Sequence, residues 1–242
     1  MSDLPRALFF DLDDTLIDDS SNVDSGWRAA VSEFAPAGLE VDALLRLVHE
    51  VRDWYWSDAE RHRVGRADLR ATSAWIVGEA LRRLGTPDDD LGSLIGNRYR
   101  DIREEGQELL PGALETLDTL KTLDVRLALL TNGSAESQRG KVLRFGLEPY
   151  FDYLCIEGEF GCGKPDERVY RVALSALSTP PHETWMVGDN LEWDVAAPMR
   201  LGITGIWFDR HAADVPVSAT AKLFNDGNRQ PDRIIRSLSE LL

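Results

Sequence analysis

Short apolar runs recur along the chain at residues 7–10, 125–130, 153–156, 184–187 and 203–208, each bounded by Gly, Asp or Asn. Runs with little polar alternation mark strands buried on both faces, so they predict a parallel sheet. Between the last four, the apolar positions change to helical spacing. Val169, Tyr170, Ala173, Leu174 and Leu177, for example, share one helical face. Strand and helix in alternation predict a doubly wound α/β core. In that architecture a ligand lies beyond the carboxyl ends of the strands, near the switch in strand order.

Residues 18–108 break the alternation. Their apolar positions are helical throughout: Trp27, Ala30, Val31 and Phe34; then Leu44, Leu45 and Val48; then Ile76, Ala80, Leu81 and Leu84. The polar run DDSSNVDSG marks one boundary, and Leu110, Pro111 and Gly112 mark the other, where a helix does not easily continue. The predicted organisation is a core formed by 1–17 and 109–242, with a helical domain, 18–108, inserted after the first strand. No repeat or low-complexity tract is visible. The stretch from about 210 to 230 reads as loop, and QPDRIIRSLSELL as ending in a short helix.

The polar residues at the ends of the apolar runs carry the candidate chemistry. RALFFDLDDTLID, residues 6–18, delivers Asp11, Asp13 and Thr15 at the end of the first strand. LALLTNGSAES, 127–137, runs into Thr131, Asn132 and Gly133, with Ser134 suited to cap a helix. Such a turn at a helix start binds anions, and the same residues are also ordinary turn chemistry. GCGKPDERVY, 161–170, sets Lys164 between glycines and Pro165, which biases the lysine towards extended backbone. An extended lysine there either aims its ammonium at a phosphoryl group or is a solvated loop residue. WMVGDNLEWDV, 185–195, ends a strand at Gly188 and Asp189, with Asp194 expected at a helix entrance.

Charge and composition narrow the classes of partner. Twenty-seven Lys and Arg against 42 Asp and Glu leave a net charge of −15, which argues against a nucleic-acid surface. A small partner, or one bringing its own cation, fits better. No run is long enough to span a bilayer, and MSDLPRAL lacks the features of a signal segment, so a cytoplasmic protein is predicted. Cys155 and Cys162 are expected to be reduced thiols without a catalytic role.

Taken together and in chain order, the four motifs resemble those of the haloacid dehalogenase superfamily over the whole core, and the insertion resembles its helical cap. The resemblance implies a Rossmann-like α/β fold and Mg²⁺-dependent hydrolysis of a small phosphorylated metabolite through an aspartyl phosphate. It implies Asp11 as nucleophile, Asp13 as general acid and base, and Thr131 and Lys164 as catalytic phosphoryl clamps, with Asn132 also binding phosphate. It further implies a metal held by Asp11, the main-chain carbonyl of Asp13 and Asp189, with Asp194 behind them or as a further ligand. Dehalogenase members of the family lack an acid at the Asp13 position, so Asp13 favours phosphate-ester chemistry. The branch that cleaves phosphonates uses a cap lysine, and 18–108 contains none. A phosphomutase, or a member that has lost catalysis and binds a ligand or partner, remains as an alternative.

Substrate choice is expected to reside in the cap. VRDWYWSDAERHRVGR, 51–66, gathers Trp54, Tyr55, Trp56, Arg61, His62, Arg63 and Arg66. This cluster is either cap packing with a solvated arginine face, or a surface that stacks on a ring and pairs with an anion. At least one of Trp56, Arg63 and Arg66 is expected to face the cleft. Arg28, Asp18, Asp19 and Asp24 come just after the first motif, where a hinge or flap is expected. Pro198 falls inside the helix that Asp194 is expected to begin; lacking an N–H, it would kink that helix unless the helix starts late. Monomer and homodimer are both compatible with the sequence.

Overall fold

The computed structural model describes residues 4–210 and 230–242. Almost all of the predicted 210–230 loop therefore lies outside the described residues. The chain divides into two compact units: Met1–Asp18 with Leu109–Leu242, and Asp19–Glu108.

In chain order, β1 (Ala7–Phe10) and β2 (Ile17–Asp18) lead into the second unit. That unit is built from α1 (Val23–Phe34), α2 (Val41–Trp56), α3 (Ala59–Gly65), α4 (Leu69–Leu84) and α5 (Asp89–Glu105). The chain returns through β3 (Glu108–Leu109), α6 (Ala113–Thr122), β4 (Arg126–Thr131), α7 (Ala135–Arg144), β5 (Tyr153–Ile156) and α8 (Glu157–Phe160). It ends with α9 (Glu167–Leu177), β6 (Thr184–Gly188), a π-helical turn Leu191–Ala196, α10 (Ala197–Arg200), β7 (Thr204–Phe208), β8 (Arg233–Ile235) and a closing 3₁₀ turn, Leu238–Leu241.

The main sheet has the order β5-β4-β1-β6-β7-β8, and every neighbouring pair is parallel. A second, two-stranded sheet pairs β2 with β3. The five predicted strands are present. The sixth, β8, leaves no apolar run in the sequence because Arg233-Ile234-Ile235 is a short edge strand in which only Ile235 is buried. Alternate side chains enter opposite cores, as the strand period of two requires. Leu8, Phe10, Leu127, Leu129 and Val187 pack with Leu117 and Leu120 of α6 on one face. Ala7, Phe9, Ala128, Leu130 and Met186 pack with Val169, Tyr170 and Ala173 of α9 on the other. β1 is central and the chain leaves it in both directions, so the switch in strand order falls on either side of Asp11.

The helical unit has its own core, from Trp27 and Val31 through Leu44 and Val48 to Ile76, Leu81 and Tyr99. Aspartates start three of its helices: the carboxylates of Asp58, Asp68 and Asp88 each accept a backbone N–H three residues on, at 2.9 Å. α5 crosses α4 at Gly96, where a β-carbon would sit 2.4 Å from the backbone nitrogen of Ala74. Among the described residues no helix is long and apolar enough to cross a membrane.

Candidate active site

Asp11 is the first residue past β1, and its N–H still bonds the Val187 carbonyl of β6 at 3.0 Å. The backbone is thus fixed by the sheet, and the side chain emerges at the carboxyl ends of the strands. Lys164 Nζ donates to Asp11 Oδ1 at 2.7 Å and to Asp194 Oδ1 at 2.6 Å, with the lysine 1% exposed and Asp194 fully buried. Burial pushes the Asp11 carboxyl up to about 6; Lys164 opposes the rise and Asp194 adds to it. The two flanking carboxylates hold the Lys164 ammonium above its ordinary value despite its burial.

The lysine is placed by Asn132. The Asn132 amide donates to the Lys164 carbonyl and accepts from the Lys164 N–H, both at 2.7 Å. Its amide oxygen and one of its two N–H donors therefore engage the lysine backbone. Gly163 makes the approach feasible, because a β-carbon there would lie 2.5 Å from Asn132 Oδ1. Thr131 ends β4 with its side chain buried. Ser134 caps α7 as its sequence predicts, accepting from the Ser137 N–H at 3.2 Å. The turn is less open than its sequence suggests, since the Gly133 N–H donates to Glu157 Oε2 at 2.8 Å.

Asp13 is held from α7, through a glutamine that also bonds the Asn132 carbonyl. Lys141 Nζ donates to its Oδ1 at 2.6 Å and Gln138 Nε2 to its Oδ2 at 2.9 Å. Its backbone forms a bridge with Ile17, while the Asp14 N–H reaches the Ile17 carbonyl at 2.7 Å. Asp14 adopts φ 59°, and Arg210 joins it to Asp18 at 2.8 and 2.9 Å. The Thr15 hydroxyl points to Asp11 Oδ2 over a long 3.5 Å.

Asp189 comes directly after β6, and its carbonyl accepts from the Trp207 indole at 2.8 Å. Its side chain is exposed, yet enclosure by the surrounding chain, then the charges of Asp11, Asp194 and Asp14, push it up to about 8. Asp11, Asp189 and Asp194 each offer an oxygen within 4.8 Å of the others. One ammonium against three converging carboxylates leaves excess negative charge, and hard oxygens at this spacing fit a divalent cation such as Mg²⁺.

Asp194 lies in the first turn of a helical segment, as expected at a helix entrance, but that segment is a π-helical turn that begins at Leu191 rather than at Asp194, and Asn190 caps it by accepting from the N–H groups of Glu192 and Trp193. Pro198 sits in the first turn of α10, where its missing N–H disturbs little. In a π-turn that N–H would have reached the Trp193 carbonyl, which instead accepts the Tyr170 hydroxyl. Asp194 Oδ2 accepts from the Asn190 N–H at 3.0 Å, so both of its oxygens are engaged.

Within the helical unit, Trp56 packs edge-on to Tyr55 and His62, with centroids 5.2 and 5.0 Å away. Arg61 lies over the Trp54 ring at 3.9 Å. Arg63 forks onto Glu60 at 2.8 and 2.5 Å, and Arg66 Nη1 lies 3.3 Å from His62 Nδ1. Arg28 pairs with Asp42, Asp24 with Arg52, and Asp19 with Arg103. Cys155 and Cys162 are free thiols, and burial pushes Cys155 up to about 11, the inert end of thiol behaviour.

Sequence reasoning does not find Lys141, Gln138, Glu157 or Tyr170. A signal for the first two exists: α7, AESQRGKVLR, turns Gln138 and Lys141 inward beside Val142. A helix whose buried face carries an amide and an ammonium needs a polar partner.

A family model described as haloacid dehalogenase-like hydrolase matches residues 5–202. A phosphoserine phosphatase of Thermus thermophilus is 34% identical over 226 residues, covering 85% of this chain and 89% of its own. A glyceraldehyde 3-phosphate phosphatase of Pyrococcus abyssi is 28% identical, covering 84% and 81%. Among solved structures, the HAD-hydrolase YfnB of Bacillus subtilis, bound to magnesium, superposes with TM-score 0.71 at 23% identity, covering 98% and 97%. A 2-haloacid dehalogenase of Pseudomonas syringae does so with TM-score 0.62 at 25% identity, covering 98% and 96%.

Proposed function

Since the chain belongs to the haloacid dehalogenase-like hydrolase family, we propose that it is a Mg²⁺-dependent phosphatase that hydrolyses a small phosphomonoester through an aspartyl phosphate on Asp11. The observation that carries this reading is the difference in partners between two carboxylates two residues apart. Asp11 is buried against Lys164, whereas Asp13 is held separately by Lys141 and Gln138. Two acids in distinct environments suit a nucleophile and a proton carrier.

Asp11 attacks phosphorus in line, and the bond from phosphorus to the leaving oxygen breaks as Asp13 gives that oxygen a proton. Water then attacks the aspartyl phosphate, Asp13 accepts its proton, and the bond from phosphorus to Asp11 breaks. Lys164 offsets the repulsion between the carboxylate and the phosphoryl oxygens, and Thr131 closes on those oxygens. Asn132 contributes by holding Lys164 in place. Asp11, Asp189 and the Asp13 carbonyl would hold Mg²⁺, with Asp194 behind them fixing Lys164. When bound, Mg²⁺ would supply positive charge that offsets the negative charge of the phosphoryl group.

In this reading the core, 1–17 and 109–242, handles the phosphoryl group. The cap, 18–108, selects the leaving group, with Trp56, Arg63 and Arg66 as its candidates. Asp13 favours an ester over a halide, and the named activities of the relatives point the same way: phosphoserine, glyceraldehyde 3-phosphate and, in a Halopiger xanaduensis relative 28% identical over 248 residues, ribulose 1,5-bisphosphate. The enzyme is taken to be cytoplasmic. Release of phosphate from p-nitrophenyl phosphate and a panel of phosphorylated metabolites tests the reading. Turnover should require Mg²⁺ and disappear in Asp11→Asn. Absence of turnover across the panel refutes it, and isomerisation of a hexose phosphate without phosphate release would make the protein a mutase.

A further inference from the structure

The first motif and α7 are far apart in sequence, yet α7 grips the Asp13 carboxylate at both oxygens. Lys141 Nζ takes Oδ1 at 2.6 Å and Gln138 Nε2 takes Oδ2 at 2.9 Å. Gln138 and Lys141 are three residues apart on one helix face, and they are only 4% and 6% exposed. Lysine and glutamine seldom occupy buried positions without a specific partner. The same Gln138 nitrogen also donates to the Asn132 carbonyl at 2.5 Å, while its buried Oε1 meets no donor among the described residues. The amide orientation is chemically determined, because the reverse assignment would set an oxygen against a carboxylate and a carbonyl. The helix therefore leaves one buried acceptor unmatched to keep a donor on Asp13.

α7 begins immediately after Thr131, Asn132 and Gly133, so one rigid element connects the proposed phosphoryl clamp to the grip on Asp13. The backbone on the other side is tied down by the Asp13 bridge to Ile17.

We propose that Lys141 and Gln138 are positioning residues for the proton transfers of Asp13, fixing its carboxylate in the rotamer that reaches the leaving oxygen and the attacking water. This inference rests on the phosphatase reading. It predicts dependence on the leaving group. An alkoxide leaves only with a proton from Asp13, whereas p-nitrophenolate leaves without one, and both substrates need Asp13 to take a proton from water in the second step.

The experiment compares the full chain with Lys141→Met, Lys141→Arg and Gln138→Met on p-nitrophenyl phosphate and on the alkyl phosphate that the unaltered protein turns over best. Thermal melting identifies any variant that fails to fold. Lys141→Met should lower kcat on the alkyl phosphate by about 30-fold or more, within the range general acid–base catalysis supplies, with little change in KM. On p-nitrophenyl phosphate the same variant should release a burst of about one nitrophenolate per enzyme, then turn over slowly as the aspartyl phosphate accumulates. Gln138→Met should behave likewise with a smaller loss, and Lys141→Arg should recover most of the rate. Equal losses on both substrates without a burst, or no loss on either, overturn the inference while leaving the phosphatase reading intact. An unaltered protein inactive on both substrates removes that reading and the role of Asp13 with it.

Discussion

A β-carbon at Gly188 would lie 2.3 Å from the carboxyl carbon of Asp194. The last residue of β6 is glycine because the carboxylate that anchors Lys164 occupies the space a side chain would take. Gly188→Ala should force the π-turn outward, destabilise the protein by about 1–3 kcal/mol as overpacking does, and lower kcat at least about tenfold through displaced Lys164. A thermal melt and a steady-state assay check both; an alanine variant with full activity would show that Asp194 moves at no cost.

Lys164 compensates two buried carboxylates at once. Lys164→Met should reduce kcat on p-nitrophenyl phosphate by about 10²- to 10³-fold, the usual effect of losing one preorganised charge. Its stability loss should be about 3–5 kcal/mol near neutral pH, since removal of one partner leaves buried charge unpaired. Denaturant unfolding at pH 7 measures the second effect; a loss under about 1 kcal/mol would mean that the carboxylates find another partner.

Asn132→Ala removes both bonds to the Lys164 backbone. The expected result is a fall in kcat of about tenfold with a modest rise in KM, because an ammonium misplaced by even about 1 Å costs rate steeply. Asn132→Asp should be worse, since a charged carboxylate oxygen would replace the amide NH₂ against the Lys164 carbonyl oxygen and repel it. Equal activity in the aspartate variant would contradict the positioning role.

Stability should depend on pH in a direction opposite to that of an ordinary ion-paired acid. Asp11 and Asp189 are pushed up from 3.8 to about 6 and about 8 in the folded chain. Their contribution is therefore fully present below about pH 4, where both states hold the protons. It is lost as pH rises through the folded values. In chelator, the melting temperature should fall between about pH 5 and pH 8.5. Magnesium should restore it, with the larger gain at the upper end, where the carboxylates are charged. A gain independent of pH would remove these acids from the proposed metal site.

Local pattern is enough for much of this architecture. The five apolar runs correspond to β1, β4, β5, β6 and β7, and helical spacing recurs through the helices of the compact unit Asp19–Glu108, because period and burial are written residue by residue. Strand ends also locate Asp11, Thr131 and Asp189 on one edge, since parallel strands deliver their last residues, and those next in the chain, to the same side of a sheet. β8 is not legible in this way because an edge strand of three residues buries too little to leave a pattern.

Chain order alone dictates which chemical groups reach the carboxyl edge of the sheet. How those groups are paired emerges only in three dimensions. Lys164 and Lys141 are both lysines near glycines, yet one bridges Asp11 to Asp194 and the other holds Asp13 across 128 positions of sequence. Asp194 became a buried anchor, rather than the first residue of a helix, through a π-turn that Tyr170 supports from α9. Charge pairing depends on spatial distance and burial, and neither has a period along the chain.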